Sequence, residues 1–342
     1  PLIPHGLHGK GADLRPLPLG VIGAGPFKLA TETDNSRLVA NETSVLAPRI
    51  AEVRILSVGT PELALQTVRL MGESVSFVAA RLPRTSRELE FSDRTLVDPR
   101  LDVLALAFDP QSSLLADPLV RRAVDRVLSR SELFAPDESA RAGSAPVGRR
   151  DAAYPRDATI LERDPVEAQR LLWWEGGWQR EPDQPYFVRK GKDGATEELE
   201  FTLVIDADDD ASRRRARVLE ARFAQAGMNL IVDARPRREY ESRIRSREFP
   251  AALVTITLPG DGDLAGAFHS KGGDRVLKFE DADVDRALDA GDRKTAVQLL
   301  TERAPAIFLG TRPRLGLTGG SVQAPAVVGR GGLGRVHKWR VR

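Results

Sequence analysis

The chain has 342 residues, of which 41% are hydrophobic, enough for roughly two ordinary domains with substantial cores. Its 51 basic and 49 acidic residues leave a net charge of only +2, which argues against nucleic acid or an anionic membrane as the main partner. There is no cysteine, so disulfides, thiolate metal sites, cysteine nucleophiles and iron–sulfur clusters are excluded.

Residues 1–20 are loop-like and rich in Pro and Gly. Val21-Ile22-Gly23-Ala24-Gly25-Pro26 has the look of a dinucleotide-binding loop, but Lys28 stands where the third glycine is required. Phe27 to Glu32 alternates apolar and polar residues, Asp34-Asn35-Ser36 is a turn cluster, and Arg37 to Asn41 reads as a returning strand. The glycines therefore open a hairpin. A strand follows at 50–58, then a helix from Thr60-Pro61-Glu62 to Gly72, and a short strand over 75–80. Leu101 to Phe108 is almost wholly apolar and predicts a strand buried on both faces.

Asp117-Pro118 opens a helix whose core face is Leu119, Val120, Ala123, Val124, Val127 and Leu128. Asp164-Pro165-Val166-Glu167 reads as a capping box before a helix carrying Ala168, Leu171, Leu172 and the Trp173-Trp174 pair, ended by Gly176-Gly177. The strand at 198–205, helix at 212–226 and strand at 229–233 predict a parallel crossover unit. Helices follow at 283–290 and 293–303, a strand at 306–309, and a final strand at 336–341. Gly329-Arg330-Gly331-Gly332-Leu333-Gly334 fits the dinucleotide pattern but has too few residues after it for the required helix. No apolar run is long enough to span a bilayer. Pro1-Leu2-Ile3-Pro4-His5 has neither part of a signal peptide, so the chain reads as mature, processed or truncated material.

Several ordered phrases resemble the family 5 extracellular solute-binding proteins, which deliver peptides, nickel chelates and related solutes to ABC importers. Gly23-Ala24-Gly25-Pro26-Phe27-Lys28-Leu29 is similar to the family's strand entry. Asp117-Pro118-Leu119-Val120-Arg121-Arg122-Ala123-Val124-Asp125-Arg126 resembles its VRxAxxxAIDR helix. Asp164 to Leu172, ending at Gly177-Trp178, resembles its DPxKAxxLLxxAGW helix. Ala221 to Met228 and Glu302 to Leu309 resemble two later segments. Order and spacing, rather than any one phrase, carry the resemblance. It implies an α/β, two-lobed periplasmic-binding-protein-like clamp of type II with the first lobe incomplete, because the family's usual leading segment is not in this sequence. Lobe I would be 1–108 plus 306–342, and lobe II 109–305.

By the same resemblance, an acid in the 255–264 stretch pairs with a ligand ammonium. Asp261 and Asp263 are the candidates, with Ile256 in place of the family's tryptophan. Their alternative is a solvent-facing Gly/Asp turn, which is preferred. Asp206 and Asp208 follow a strand and precede a helix, where α/β sheets place ligand loops; as helix caps they have the simpler reading. Phe108 and Phe268 complete the candidate ligand-binding set. Trp173, Trp174 and Trp178 are read as core rather than ligand stackers. The arginines between 213 and 247 are interleaved with acids and read as solvated mixed-charge helix faces. The four histidines, His5, His8, His269 and His337, have no metal-ligand spacing.

The expectation is a solute-binding component of an ABC importer. It binds a peptide or other small molecule between two lobes, without catalysis, catalytic residues, cofactor or metal. Its partners would be the ligand and an ABC permease, with no nucleic acid; membrane association would come only through the permease or a lipid anchor outside this sequence. The location would be periplasmic or the extracellular face of the membrane. With only three tyrosines and the family's tryptophan replaced, the alternative is a degenerate domain of this kind acting as a sensor or protein-interaction module.

Overall fold

The computed structural model describes residues 26–31, 34–46, 48–54, 77–80, 94–109, 111, 114–134, 140–156, 163–181, 183–191, 194–259, 262–273, 275–277, 279–318, 322–323 and 340–341. The expected Gly23–Gly25 loop, the helix at 60–72, Gly329–Gly334, Asp261, His5, His8 and His337 lie outside them. The chain divides into two compact units, Pro1–Pro99 with Arg314–Arg342 and Arg100–Pro313.

In the first unit, β1 (Phe27–Thr31) and β2 (Asp34–Ala40) form the expected antiparallel hairpin, with Leu29 opposite Leu38. Strand β3 (Glu52–Arg54) extends it, tied by an Arg37–Glu52 ion pair of 2.8 Å. The glycine-rich entry thus leads into a strand, which removes the helix that a dinucleotide site needs. Strand β4 (Phe77–Ala80) pairs with the end of a long strand described below.

The second unit is a sheet covered by helices on both faces. Strand β5 (Arg94–Phe108) enters it, and Val103 to Phe108 are each at most 4% exposed. Alternate residues feed two cores. Leu104, Leu106 and Phe108 face one, and Val103, Ala105 and Ala107 the other. Helix α1 (Pro118–Val127) begins where the Asp117 carboxylate accepts from the Leu119 N–H at 2.9 Å, and its Val120, Ala123, Val124 and Val127 are buried. A short α2 (Arg130–Phe134) and bridge strand β6 (Arg141–Ala142) follow.

Helix α3 (Pro165–Arg170) runs on as a π turn over Leu171–Glu175, closed by Gly176 N–H donating to Leu171 O at 2.9 Å. Only half the expected capping box forms. Asp164 accepts from the Glu167 N–H at 2.9 Å, but the Glu167 carboxylate turns to Arg170 at 2.7 Å, and the Asp164 N–H donates to Arg126 O. The tryptophans also part company. Trp178 is fully buried, whereas Trp173 is 61% and Trp174 81% exposed. Leu171 and Leu172 face the core, and the next two residues of the π turn come round to the solvent side.

Strands β7 (Val188–Lys190) and β8 (Thr196–Glu198) make a separate hairpin. The expected crossover is present as β9 (Glu200–Asp206), α4 (Asp210–Gln225) and β10 (Asn229–Arg235), with β9 and β10 parallel. Ala216, Leu219 and Phe223 bury one face of α4, and the fully buried Phe223 is worth about 1.5–3 kcal/mol of apolar transfer. Gly227 ends it at φ +80°, where a Cβ would lie 2.9 Å from the Phe187 ring, so only glycine fits. Helix α5 (Arg237–Ser246) leads to β11 (Ala251–Leu258), parallel to β9 and antiparallel to β5. Helices α6 (Ala265–Phe268), α7 (Ala282–Asp289) and α8 (Arg293–Arg303) then precede β12 (Ala306–Thr318), and β13 (Val322–Gln323) pairs with β14 (Arg340–Val341). The strand order is β10-β9-β11-β5-β12, with β6 also on β12. Helices α1 to α4 cover one face, and α5 to α8 the other.

Candidate functional site

Strands β9 and β11 are parallel neighbours, so their carboxyl ends share an edge of the sheet, where ligand loops of α/β sheets collect. Three of the six candidates, Asp206, Asp208 and Asp263, stand at or just after those ends. Asp206 is 8% exposed and accepts from the Asp208 N–H at 2.9 Å and from Arg237 Nε at 3.0 Å. Asp208 accepts from the Arg237 backbone N–H at 2.8 Å. Asp208 thereby caps the start of α5, which has Pro236 before it and no side-chain cap from its own N-cap residue, and Asp206 holds the Arg237 side chain beside it. Next to them Asp209 caps α4, accepting from the Ala211 N–H at 3.1 Å and the Ser212 hydroxyl at 2.7 Å. Asp210 pairs with Arg213, which also reaches Ala207 O. The acidic run is thus laced to two arginines, and its second and third acids, Asp208 and Asp209, cap different helices.

After β11 the chain turns at Gly262, whose N–H donates to Pro259 O at 2.9 Å. Asp263 is exposed and accepts from the Ala265 N–H at 2.9 Å. Gly262 has φ +76°, and a Cβ there would stand 2.9 Å from the Arg293 guanidinium. Arg293 in turn donates to Asp151 at 2.7 Å. Burial acts to raise the Asp151 carboxyl, but the bonds from Arg293 and the Ala153 N–H outweigh it and hold the group below the ordinary carboxylate value.

Phe268 and Phe108 are 3% and 4% exposed. Phe268 packs edge-on against Phe308, with ring centroids 6.1 Å apart, and the Arg121 guanidinium lies 5.4 Å from the Phe108 centroid. The structure thus sets Asp206 and Asp208 together, places Asp263 on the loop after the neighbouring strand, and seats the two phenylalanines within the two cores.

One constellation went unread in the sequence. His269 accepts from the Lys271 N–H at 2.9 Å through Nδ1, and its Nε2 lies 3.2 Å from Asp289. Asp285 accepts from the Ser270 N–H at 2.8 Å and from its hydroxyl. Burial works to raise the Asp285 carboxyl; the Ser270 bonds, His269 and Arg275 together draw it below its usual value. This clasp fastens the end of α6 to α7. A lone histidine in sequence gives no sign of it, because both acids come from a helix that follows a loop. Among the described residues no group of three or more His, Asp or Glu is arranged to hold a metal ion, and no helix is long and apolar enough to cross a membrane.

The fold and the ordered phrases on it define a class, the α/β clamps of periplasmic binding proteins. The chain belongs to the bacterial extracellular solute-binding proteins, family 5, whose description matches residues 3–273. Among solved structures it is similar to the oligopeptide-binding protein AppA from Bacillus subtilis in complex with a nonapeptide, at 18% identity and a TM-score of 0.74, over 93% of this chain and 66% of that one. NikZ from Campylobacter jejuni in complex with Ni(L-His) is similar at 19% identity and a TM-score of 0.71, over 92% of this chain and 68% of that one. DppA from Helicobacter pylori in complex with the peptide STSA is similar at 17% identity and a TM-score of 0.69, over 93% and 63%. The chain thus spans about two thirds of the length of these proteins. No curated protein matches the sequence.

Proposed function

We propose that this chain is the solute-binding part of an ABC importer, holding a peptide or similar small solute reversibly and making or breaking no bond. The family match over residues 3–273 carries the reading. The peptide-bound and nickel-complex-bound proteins of the same fold supply the ligand classes to try first. Its partner would be an ABC permease, and its place the periplasm or the extracellular face of the membrane. We assign the ligand's polar anchors to Asp206, Asp208, Asp261 and Asp263, and its apolar contacts to Phe108 and Phe268. The carboxyl-end placement of Asp206, Asp208 and Asp263 supports this, since two acidic loops on one edge favour an ammonium-bearing solute over one presenting a carboxylate there. We take 1–108 with 306–342 and 109–305 as the lobes.

The test is a thermal-shift and calorimetric screen of peptides, opines, sugars and metal chelates. A ligand at 100 times its Kd stabilises the folded state by about 2.7 kcal/mol, well within reach of such a screen. A cationic or N-terminally free peptide should raise Tm, and Asp263→Asn should weaken it. A screen silent across all four classes overturns the reading. One observation favours a second reading, a degenerate domain acting as sensor or interaction module. Asp206 is engaged by Arg237, and Phe108 and Phe268 are committed to the cores. In that case the screen is silent and a protein partner is recovered instead.

A further inference from the structure

We propose that the outward face of α3 and its π turn is a docking surface for an anionic lipid bilayer. Val166, Arg170, Trp173 and Trp174 follow one another at i, i+4, i+7 and i+8, which puts them along one side of a helix. That side is opposite the buried Ala168, Leu171 and Leu172. Val166 is 74% exposed and the tryptophans 61% and 81%; these three are half of the six large hydrophobic side chains exposed among the described residues. The pair is also firmly held. Immediately after the π turn, the Trp178 backbone N–H donates to Leu172 O at 3.0 Å, and the fully buried Trp178 ring carries the Arg189 guanidinium 4.4 Å from its centroid. The exposed indoles are therefore presented from a fixed base.

The charges around the patch select the partner. Arg170 binds two acids of its own helix, Glu167 at 2.7 Å and Glu175 at 2.9 Å. Beside α3, Arg122 and Arg126 stand one turn apart on α1. After the Arg170 bond, the field of these two guanidiniums helps to hold the Glu167 carboxyl below its ordinary value. With Asp164 on the helix cap and Arg163 beside it, Arg122, Arg126, Arg163 and Arg170 stand against Asp164, Glu167 and Glu175, four basic groups to three acidic, a surplus of one positive charge. The whole-chain balance of +2 does not decide the matter, because screening confines each charge to about 10 Å at 0.1 M salt. An indole has an apolar body and a polar N–H, the amphipathic form that settles at the headgroup level of a membrane. Arg170 sits between Val166 and the tryptophans on the exposed side of the helix, which suits a plane of headgroups that takes each indole separately and offers phosphate to Arg122 and Arg126.

The experiment is flotation of the purified chain with vesicles of equal parts phosphatidylglycerol and phosphatidylcholine, against pure phosphatidylcholine, at low salt. The chain should float with the anionic vesicles only, and release as salt rises. The double variant Trp173→Ala/Trp174→Ala should lose flotation with an unchanged Tm, and Arg122→Gln/Arg126→Gln should weaken it. Absence of flotation with anionic vesicles, or flotation that survives the tryptophan variant, overturns the proposal. So does a concentration-dependent dimer, seen by sedimentation, that the same variant dissolves, because the face would then belong to a second copy. Solute affinity should be the same in the variant, so this inference and the solute-binding reading can fail separately.

Discussion

Arg237 reaches two acids at once, donating from its backbone N–H to Asp208 at 2.8 Å and from Nε to Asp206 at 3.0 Å. The end of β9 is thereby stitched to the first turn of α5, two elements separated in sequence by a helix and a strand. The two contacts differ in what a substitution removes. Arg237→Ala deletes only the bond to Asp206 from a side chain 53% exposed, leaving the backbone bond in place, and should cost about 0.5–1 kcal/mol in urea unfolding. Asp206→Ala leaves the Asp208 N–H without its acceptor inside a tight turn and should cost about 1–3 kcal/mol. Equal costs would show that the turn does not depend on Asp206.

Gly262 and Arg293 are coupled by space rather than by a bond. Gly262→Ala meets two penalties: a φ of +76°, unfavourable for any L side chain, and a Cβ 2.9 Å from the guanidinium that holds Asp151. The first amounts to about 1 kcal/mol and the second adds the displaced ion pair. In a double-mutant cycle with Arg293→Ala, the glycine substitution should cost less than it does alone, by about 0.5–1 kcal/mol in unfolding free energy. Strict additivity would mean that Arg293 moves aside freely.

How far the sequence reveals this molecule depends on whether the deciding contacts are local. The caps at Asp117 and Asp209 lie within three residues of the groups they satisfy, and helices α1 and α4 are readable to within a residue or two. The β9-α4-β10 unit and the doubly buried stretch of β5 are equally plain, since periodicity and apolar content alone specify them. Arg215 is the opposite case. It sits in a run read as solvated, yet it is 5% exposed, donating to Leu133 O and lying 5.5 Å from the Phe134 centroid. The nearer carbonyl partner, Leu133, is 82 residues away with Phe134 next to it, and nothing local separates Arg215 from its exposed neighbours Arg213 and Arg214. Among the candidate site residues, the end-of-strand positions of Asp206 and Asp208 were legible. Their common partner Arg237 was not, because α5 is too charged to show an apolar stripe beyond Tyr240 and Ile244.

Acid should loosen the α6–α8 side of the second unit. Asp151 and Asp285 both hold their carboxyls below the ordinary value, so the folded state binds fewer protons than the unfolded chain between the two values. The stabilisation is complete above the unfolded value of about 3.9 and is lost as pH falls through the lower folded one. Asp151→Asn should therefore flatten the decline of Tm below about pH 4 and lower Tm at neutral pH, where the native carboxylate is charged. A variant whose acid limb is as steep as the parent's would remove Asp151 from this account.

The three tryptophans of the α3 region make the sharpest contrast in stability, because the same residue type occupies opposite environments within six positions. Trp178 is fully buried and packed beneath the Arg189 guanidinium, so Trp178→Ala empties a large volume that the surrounding helices cannot close, and should cost about 3–5 kcal/mol. Trp174 is 81% exposed, and Trp174→Ala should stay within about 0.5 kcal/mol of the parent. Trp173, at 61% exposure, should fall between them and close to Trp174. Chemical denaturation of the three variants reads the order directly. A loss of 2 kcal/mol or more at Trp174, on the order of a buried side chain, would mean that the outward face of α3 is covered within the folded chain. It would then not be available to any partner.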